Sequence, residues 1–478
     1  MVGATDQELI EGVTAKFQRG DLAGARADCD RFLAAVDDPA RQAPLRFWLG
    51  AIEQRSGALV SAVEQFDIAI KTNRRNPLWL LQAGLAHYHL KALDRAEYLY
   101  REALRLQPRY PVAHFNLGVL LQRKRNWTGA RRAYEAAIAQ QPQFAEALVN
   151  LANTLVELAE FDSVEACYRR ALAINPQLAN AHHGLGLHYL RRHRQAEAVR
   201  CFEAAVEHDP TYLDAWLDLA ECLFREGDST RAIACVDEVL ARDASHEIAH
   251  FKRAQFVGEK PATVPPQLLE RLYAGMANTF DEHLTQRLGY RIPELLVDEL
   301  QPWLGDFAQR HAQKPTVLDL GCGTGLFGLA VRHFAAMSTG VDLSAAMLDK
   351  ARARGAYDEL IESDLLAFLQ RDERNFDLIA ATDVLIYVGQ LESLFALVQA
   401  RLSPRGMFAF STESPPELTE EFQLEPTGRF AHHNKYIERL AKSNDFAVIK
   451  RLDTAIRNEK NVPLPGHVFL LQKTWQPV

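Results

Sequence analysis

One short stretch combines an acidic residue with closely spaced glycines. The sequence "VLDLGCGTGLFG", residues 317–328, places Asp319 two residues ahead of Gly321, with Gly323 and Gly325 following at the same interval. The apolar run before the glycines predicts a buried strand, and the apolar spacing after them predicts a helix. Glycine has no Cβ, so the backbone here can lie close to a bound group. The stretch therefore predicts the first strand–loop–helix unit of a nucleotide-cofactor fold.

Three cofactor-binding patterns compete for this loop. A dinucleotide fingerprint would use Gly321 and Gly323, but its third glycine position holds Leu326. A phosphate-binding P-loop requires a lysine, which the loop lacks. The pattern Asp-x-Gly-x-Gly-x-Gly does fit, and "GVDLSAAML" and "ESDLLAF" follow it in order. Together the three motifs resemble class I S-adenosylmethionine-dependent methyltransferases over residues 267–478.

The resemblance implies a set of cofactor contacts. Asp342, 23 residues after Asp319, would accept hydrogen bonds from the ribose hydroxyls, and amides at the following helix N-terminus would face the methionine carboxylate. An alternative reading makes Asp342 a helix N-cap and the glycines an ordinary turn. The predicted cofactor-binding residues are Asp319, Gly321, Cys322, Gly323, Gly325, Asp342, Leu343, Met347, Ser363, Asp364, Leu365, Thr382, Phe280 and Arg291.

A segment before the first strand is expected to cover the cofactor. Residues 280–296 predict an amphipathic helix where the family places a lid. Phe280 or Tyr273 would pack over the sulfonium, and Arg291 would pair with the methionine carboxylate. The alternative is that Phe280 and Tyr290 are simply core aromatics.

The sequence after the fourth predicted strand bears on the methyl acceptor. Methylases of exocyclic or side-chain amide nitrogens usually carry Asn/Asp-Pro-Pro-Tyr there, whereas this chain has Thr382-Asp383-Val384. Amide-type nitrogen acceptors are therefore disfavoured. Methyl transfer is an in-line displacement, so the protein must mainly align the nucleophile and, where needed, remove its proton.

Candidate catalytic residues cluster further on, in "TGRFAHHNKYIERL". This stretch is similar to the C-terminal motif of a bacterial group that fuses tetratricopeptide repeats to a methyltransferase. We expect His432 to act as general base, with Tyr436 and Arg429 beside it, because a histidine titrates near neutral pH. The alternative is that His432 and His433 are surface or helix-capping residues.

The first half of the chain is periodic. Small residues recur every 34 positions, aromatic residues recur 16 positions later in most units, and prolines close four of them. The pattern resembles the tetratricopeptide repeat. It predicts a degenerate unit over 1–42, six repeats over 43–246, and a capping helix and linker over 247–266, ahead of the methyltransferase domain at 267–478. The predicted fold is an all-α superhelix joined to a Rossmann-like α/β domain.

The α/β domain is expected to contain seven strands. They form a mostly parallel sheet with one antiparallel edge strand. The predicted strands are 316–320, 338–341, 360–362, 377–381, 407–411, 447–452 and 467–472.

The repeat resemblance implies a protein or peptide bound in a concave groove lined by the first helices. Asn116 and Asn150 could bond an extended peptide, or could simply be solvated polar residues. The carboxylate-clamping lysines of chaperone-binding relatives are missing. The expected groove positions are Leu81, Phe115, Val149, His183 and Leu217.

Composition narrows the function classes. The formal net charge of −8 gives no support to nucleic-acid binding, and no apolar run is long enough to cross a membrane. The six cysteines form no CxxC pair, so no metal site is expected. The N-terminus has no leader pattern, so we expect a cytoplasmic location. Three functions remain open: a methyltransferase whose repeats recruit a protein or carrier-bound acceptor, a small-molecule O- or C-methyltransferase scaffolded by the repeats, and a non-catalytic adaptor that binds S-adenosylmethionine.

Overall fold

The computed structural model describes residues 6–274, 280–459 and 462–474. The chain divides into two compact units, Met1–Cys222 and Leu223–Val478. This division falls earlier than the predicted start of the second domain at residue 267, because the last repeat helices group with the α/β part. Within the described ranges, none of the helices has the length and apolar character that a membrane crossing requires.

The described residues up to 257 form antiparallel helix pairs. The helices are α1 (Asp6–Gln18), α2 (Leu22–Ala35), α3 (Pro39–Arg55), α4 (Leu59–Thr72), α5 (Pro77–His89), α6 (Leu93–Leu106), α7 (Pro111–Arg123), α8 (Trp127–Gln140), α9 (Ala145–Glu157), α10 (Val164–Ile174), α11 (Ala179–Arg191), α12 (Gln195–His208), α13 (Leu213–Arg225), α14 (Ser229–Arg242) and α15 (Glu247–Val257).

The periodic columns of the sequence form the contacts between paired helices. A Cβ on Gly84 of α5 would lie 2.6 Å from the Tyr100 ring of α6, and Gly118 stands in the same relation to Tyr134. Only glycine allows such close helix approach here. Each of α6, α8, α10 and α12 ends two residues before its proline. The predicted repeat architecture is therefore confirmed.

The expected groove positions are mostly core positions. Leu81, Val149, His183 and Leu217 are buried, and Phe115 packs its ring on Phe144 with centroids 4.9 Å apart. These side chains fill the space between neighbouring helices, so they do not form an open surface. The prediction that they line a groove is wrong for the four buried residues.

The second unit continues with helices and a nine-stranded sheet. The helices are α16 (Pro266–Ala274), α17 (Ile292–His311), α18 (Leu326–Val331), α19 (Ala345–Ala353), α20 (Leu365–Arg371), α21 (Glu392–Arg401) and α22 (Asn434–Ser443). The strands are β1 (Thr316–Leu320), β2 (Met337–Asp342), β3 (Glu359–Glu362), β4 (Phe376–Ala381), β5 (Leu402–Glu413), β6 (Phe422–Leu424), β7 (Phe430–His432), β8 (Phe446–Glu459) and β9 (Val462–Lys473).

The central strands β3, β2, β1, β4 and β5 are parallel and lie side by side in that order. β9 then pairs antiparallel with β5, and β8 pairs antiparallel with β9 on its other side. The antiparallel strand is thus internal, and its predicted edge position is wrong. A short hairpin, β6–β7, joins the end of β5 and was not predicted.

The end of the predicted linker, around Val264, packs into the second unit's core, whereas its start at residues 258–260 is exposed. Val264 is 3% exposed, and its amide donates to the Tyr387 carbonyl at 2.9 Å. The Gly389 amide donates to the Ala262 carbonyl at 2.8 Å. Phe251, on the predicted capping helix α15, is buried in the same apolar cluster as Val264 and Tyr387. The predicted linker is therefore exposed at its start and packed against the α/β part at its end.

Candidate functional site

A pocket opens at the carboxyl ends of β1, β2, β3 and β4, with an empty volume of about 1090 Å³. Open parallel sheets bind ligands at this edge. One wall consists of residues that follow the first three strands, including Gly323, Asp342 and Asp364. The other wall consists of residues after β4, such as Asp383, together with residues between Thr263 and Tyr273 and between Phe280 and Pro293. Its lining combines apolar side chains with a few acidic groups, which is typical of small-molecule binding sites.

The glycine loop after β1 forms the floor of this pocket. Gly321, Gly323 and Gly325 have φ values of +70°, +52° and +89°, which L side chains rarely adopt. A Cβ on Gly321 would lie 2.4 Å from a methyl group of Val384, whereas a Cβ on Gly323 would meet no atom within 4 Å. The loop thus needs glycine for its turns and leaves open space above Gly323.

Asp342, at the end of β2, is positioned by two backbone amides. One carboxylate oxygen accepts from Gly323 at 2.8 Å and the other from Ser344 at 2.8 Å. Burial raises the pKa of Asp342, and these amide hydrogen bonds oppose the rise. The N-cap of α19 is Ser344, whose hydroxyl accepts from the Met347 amide. Asp342 is therefore not the helix cap, and each of its oxygens keeps a lone pair for a ligand hydroxyl.

Asp319 lies beneath the loop and does not line the pocket. Its carboxylate is fully buried and accepts from the Tyr357 hydroxyl, and its Oδ1 has no hydrogen-bond partner. Burial raises the pKa of Asp319 to about 7, and the charge of Asp342 adds to the rise. The Tyr357 hydroxyl in turn accepts from the Gly328 amide at 3.0 Å. Asp319 and Gly325 thus shape the loop from behind the pocket wall.

The remaining predicted cofactor residues divide into two groups. Asp364 lines the pocket and also caps α20 by accepting from the Ala367 amide at 2.9 Å. Arg291 is exposed and does not line the pocket, so no contact supports its predicted pairing with a methionine carboxylate. The other predicted residues on the pocket wall are Gly321, Cys322, Gly323, Asp342, Leu343, Met347, Ser363, Leu365, Thr382 and Phe280.

The predicted lid helix is broken. Residues Glu282–Arg287 form a π-helical turn, and α17 begins only at Ile292. Asp281, just before the turn, pairs with Arg354 and accepts from the Thr324 hydroxyl of the glycine loop. These contacts tie the segment to the loop and hold Phe280 on the pocket wall. The placement of Phe280 agrees with a cover over the pocket.

Three tyrosines line the pocket. The hydroxyls of Tyr273 and Tyr387 are hydrogen-bonded to each other, and Tyr290 is a separate, buried residue of the lining. Burial raises the pKa of each of these phenols, so all three stay neutral at physiological pH. Sequence reasoning did not assign Tyr387, although it lies three residues after the Thr382-Asp383-Val384 stretch.

Asp383 is an acidic residue of this wall and was also not assigned. It follows β4 with φ +54°, and its Oδ1 lies 2.7 Å from Nη1 of Arg457. Arg457 is 2% exposed and also pairs with Glu413 and Glu459. Burial raises the pKa of Asp383, and the Arg457 charge opposes the rise. The buried arginine thus orients one oxygen of a carboxylate that lines the pocket.

The three predicted catalytic residues lie outside the pocket wall. His432 is fully buried, and its Nε2 donates to the carbonyls of Val388 at 2.9 Å and Gly389 at 3.2 Å. Burial lowers the pKa of His432 to about 4, so the ring is neutral. Tyr436 donates to Glu392 at 2.8 Å, and Arg429 pairs with Glu459. Because His432 packs beneath the loop, the structure contradicts its expected role as general base.

The sheet order, the glycine loop and the pocket at the carboxyl ends of the strands together define a Rossmann-like α/β domain. A family model described as "Methyltransferase domain" matches residues 317–406. Models described as "Tetratricopeptide repeat" match residues 52–111, 121–186 and 189–255. The chain therefore carries tetratricopeptide repeats followed by a methyltransferase domain.

Several curated methyltransferases are similar to part of this chain. "Trans-aconitate 2-methyltransferase" of Paracidovorax citrulli is 42% identical over 95 residues, covering 20% of this chain and 36% of that protein. "Ubiquinone biosynthesis O-methyltransferase" of Coxiella burnetii is 31% identical over 99 residues, covering 20% of this chain and 42% of that protein. "Malonyl-[acyl-carrier protein] O-methyltransferase" of Enterobacter lignolyticus is 31% identical over 137 residues, covering 28% and 52%. The matches thus span about half or less of each relative.

Solved structures are similar to the repeats. A tetratricopeptide repeat protein from Parabacteroides merdae is 17% identical with a TM-score of 0.43, covering 53% of this chain and 100% of that one. YrrB, titled "a TPR protein with an unusual peptide-binding site", is 21% identical with a TM-score of 0.33, covering 39% and 97%.

Proposed function

We propose that this protein is an S-adenosylmethionine-dependent methyltransferase whose repeats recruit a protein or carrier-bound acceptor. The observation that carries the proposal is Asp342: a half-buried carboxylate, oriented by the amides of Gly323 and Ser344, faces a pocket floored by glycines. That arrangement suits a ribose with two free hydroxyls. The motifs are complete at these positions, which favours an enzyme over a non-catalytic adaptor.

The pocket residues fit S-adenosylmethionine by their chemistry. Asp342 would accept from the ribose hydroxyls, Leu343 and Met347 would contact the adenine ring, and Asp364 would accept from its amino group. The cofactor carries no phosphate, which agrees with a glycine loop that has no lysine. When bound, it supplies a methyl group on a positively charged sulfonium, so no further activation of the leaving group is needed.

The chain's own residues would align the acceptor. Tyr273, Tyr387 and Phe280 form an aromatic corner, with Tyr273 and Phe280 centroids 5.7 Å apart. Such a corner excludes water and restricts the approach of a nucleophile, and orientation of this kind contributes strongly to two-substrate reactions. His432 supports this wall from below by binding the Val388 and Gly389 carbonyls.

Binding of the cofactor is the direct test. Calorimetry of the full chain with S-adenosylmethionine should show one site per chain, and the product S-adenosylhomocysteine should compete for it. If neither compound binds the folded protein, the cofactor assignment is wrong.

Recruitment by the repeats needs its own experiment. Leu78 and Val112 occupy the same position on the first helices α5 and α7, and they are 46% and 43% exposed. A double change to Glu should raise the acceptor concentration needed for half-maximal rate, because tethering acts through effective concentration. Val60→Glu on the second helix α4, at a 64% exposed position, is the matched control. Equal kinetics for both variants and the wild type would favour a small-molecule acceptor.

A further inference from the structure

The pocket's charged residues all have one sign. Among the described residues that line it, four are acidic (Glu270, Asp342, Asp364 and Asp383), and none is lysine, arginine or histidine. Asp342 and Asp364 belong to the cofactor side, where ribose hydroxyls and an amino group would satisfy them. Asp383 and Glu270 remain on the acceptor side, with the three tyrosines.

The buried ion-pair cluster that contacts Asp383 does not make this side of the pocket positive. Two guanidiniums, Arg457 and Arg429, pair with three carboxylates, Asp383, Glu413 and Glu459. The formal charge of this cluster is −1. Arg457 holds Oδ1 of Asp383, while the Asp383 side chain remains 18% exposed at the pocket wall. A carboxylate therefore faces the acceptor space without a described basic residue beside it in the wall.

Resting on the proposed function, we infer that the methyl acceptor is an aliphatic amine, cationic in water, whose nitrogen is held by Asp383 against the Tyr273–Tyr387 corner. An ammonium group gains both from a carboxylate and from aromatic faces. A carboxylate acceptor would meet two acidic residues and no described cation in the wall. A hydroxyl acceptor would need to develop negative charge beside Asp383, which is electrostatically unfavourable.

Methyl transfer to an amine accounts for every bond, proton and electron pair. The ammonium releases one proton to solvent, and the exposed nitrogen lone pair forms the new N–C bond as the C–S bond breaks. The bonding pair stays on sulfur, and the product is a methylated ammonium. Positive charge thus develops on nitrogen beside Asp383, where a carboxylate stabilises it.

Three probes of matched size test the inference: phenethylamine, 2-phenylethanol and 3-phenylpropanoate. Each is titrated by calorimetry into the full chain saturated with S-adenosylhomocysteine. We expect phenethylamine to bind at least tenfold more tightly than the alcohol, and the acid to bind least. Equal or tighter binding of the alcohol or the acid would overturn the inference. Failure of S-adenosylhomocysteine itself to bind would instead refute the proposed function, so the two failures are distinguishable.

The variant Asp383→Asn tests whether Asp383 causes the preference for the amine probe. It should reduce the preference for amine over alcohol about tenfold or more, because it removes the charge and keeps the shape. Retained S-adenosylhomocysteine affinity shows that the variant is folded. Asp349→Asn, an exposed change on α19 outside the pocket wall, removes the same charge elsewhere and serves as the matched control. An unchanged preference in a folded Asp383→Asn protein would contradict the role of Asp383.

Discussion

The amide of Gly323 donates to the carboxylate of Asp342 across two neighbouring strands, with Gly323 N and Asp342 Oδ2 2.8 Å apart. This bond joins the glycine loop after β1 to the acidic residue that ends β2. Because β1 and β2 are parallel and in register, with Leu320 opposite Val341, the two motifs meet at one edge of the sheet. The cofactor side of the pocket depends on this contact between the glycine loop and Asp342.

The first prediction concerns Asp342. Asp342→Ala removes the acceptor for two ribose hydroxyls, so S-adenosylmethionine affinity should fall about ten- to a hundredfold. Calorimetry on the full chain measures the loss. Asp349→Ala, an exposed change on the neighbouring helix α19, should bind as the wild type does. Wild-type affinity in Asp342→Ala would show that the carboxylate does not hold the ribose.

The second prediction concerns the loop turns. Gly321→Ala places a methyl group 2.4 Å from Val384 in a backbone conformation with φ +70°, so it should lower stability by about 1–3 kcal/mol and weaken cofactor binding. Gly305→Ala, within helix α17 and free of contacts within 4 Å, should instead be neutral or stabilising by about 0.5–1 kcal/mol. Urea unfolding of both variants provides the comparison. Equal stabilities would indicate that the loop relaxes at no cost.

The third prediction concerns the segment 262–266. Its backbone bonds to the residues around Tyr387 and the burial of Val264 should protect it from proteases in the native protein. Thermolysin fragments identified by mass spectrometry should therefore not begin at Val264. Val264→Asp buries an uncompensated charge and should make this segment an early cleavage site. Early wild-type cleavage there would support the exposed linker that the sequence suggests.

The fourth prediction concerns His432. Its pKa is about 4 in the folded protein and near 6.5 when unfolded, so the unfolded chain binds the proton more readily. Neutral His432 therefore contributes to the free energy of unfolding. This contribution is fully present above pH 6.5 and is lost as pH falls toward 4, on the order of 3 kcal/mol in total. Urea midpoints at about pH 7.5 and about pH 5, on either side of the unfolded-state pKa, should differ less in His432→Gln than in the wild type. Phe422→Leu, which changes a ring beside His432 that carries no titratable group, should keep the wild-type pH dependence.

The repeats and the cofactor motifs could be predicted because their signals are local. Gly84 and Tyr100 lie 16 residues apart in one helical pair, and the pattern recurs every 34 residues. The glycine loop and Asp342 belong to one strand–helix–strand unit. Such short-range geometry follows directly from residue type and spacing. The sequence alone therefore determined the repeat array, the α/β class and the candidate cofactor side of the pocket.

Only the tertiary structure shows which residues form the acceptor side of the pocket. Tyr273 meets Tyr387 across 114 residues of chain, and Asp383 meets Arg457 across 74. The burial of His432 likewise depends on the β6–β7 hairpin docking beneath the loop that follows β4. No local pattern encodes these contacts, because they depend on how Tyr273 of α16 and Arg457 of β8 pack against residues that follow β4. Residue type and position in the C-terminal motif made His432 a candidate base, whereas its burial in the folded chain leaves it neutral and bonded to the Val388 and Gly389 carbonyls.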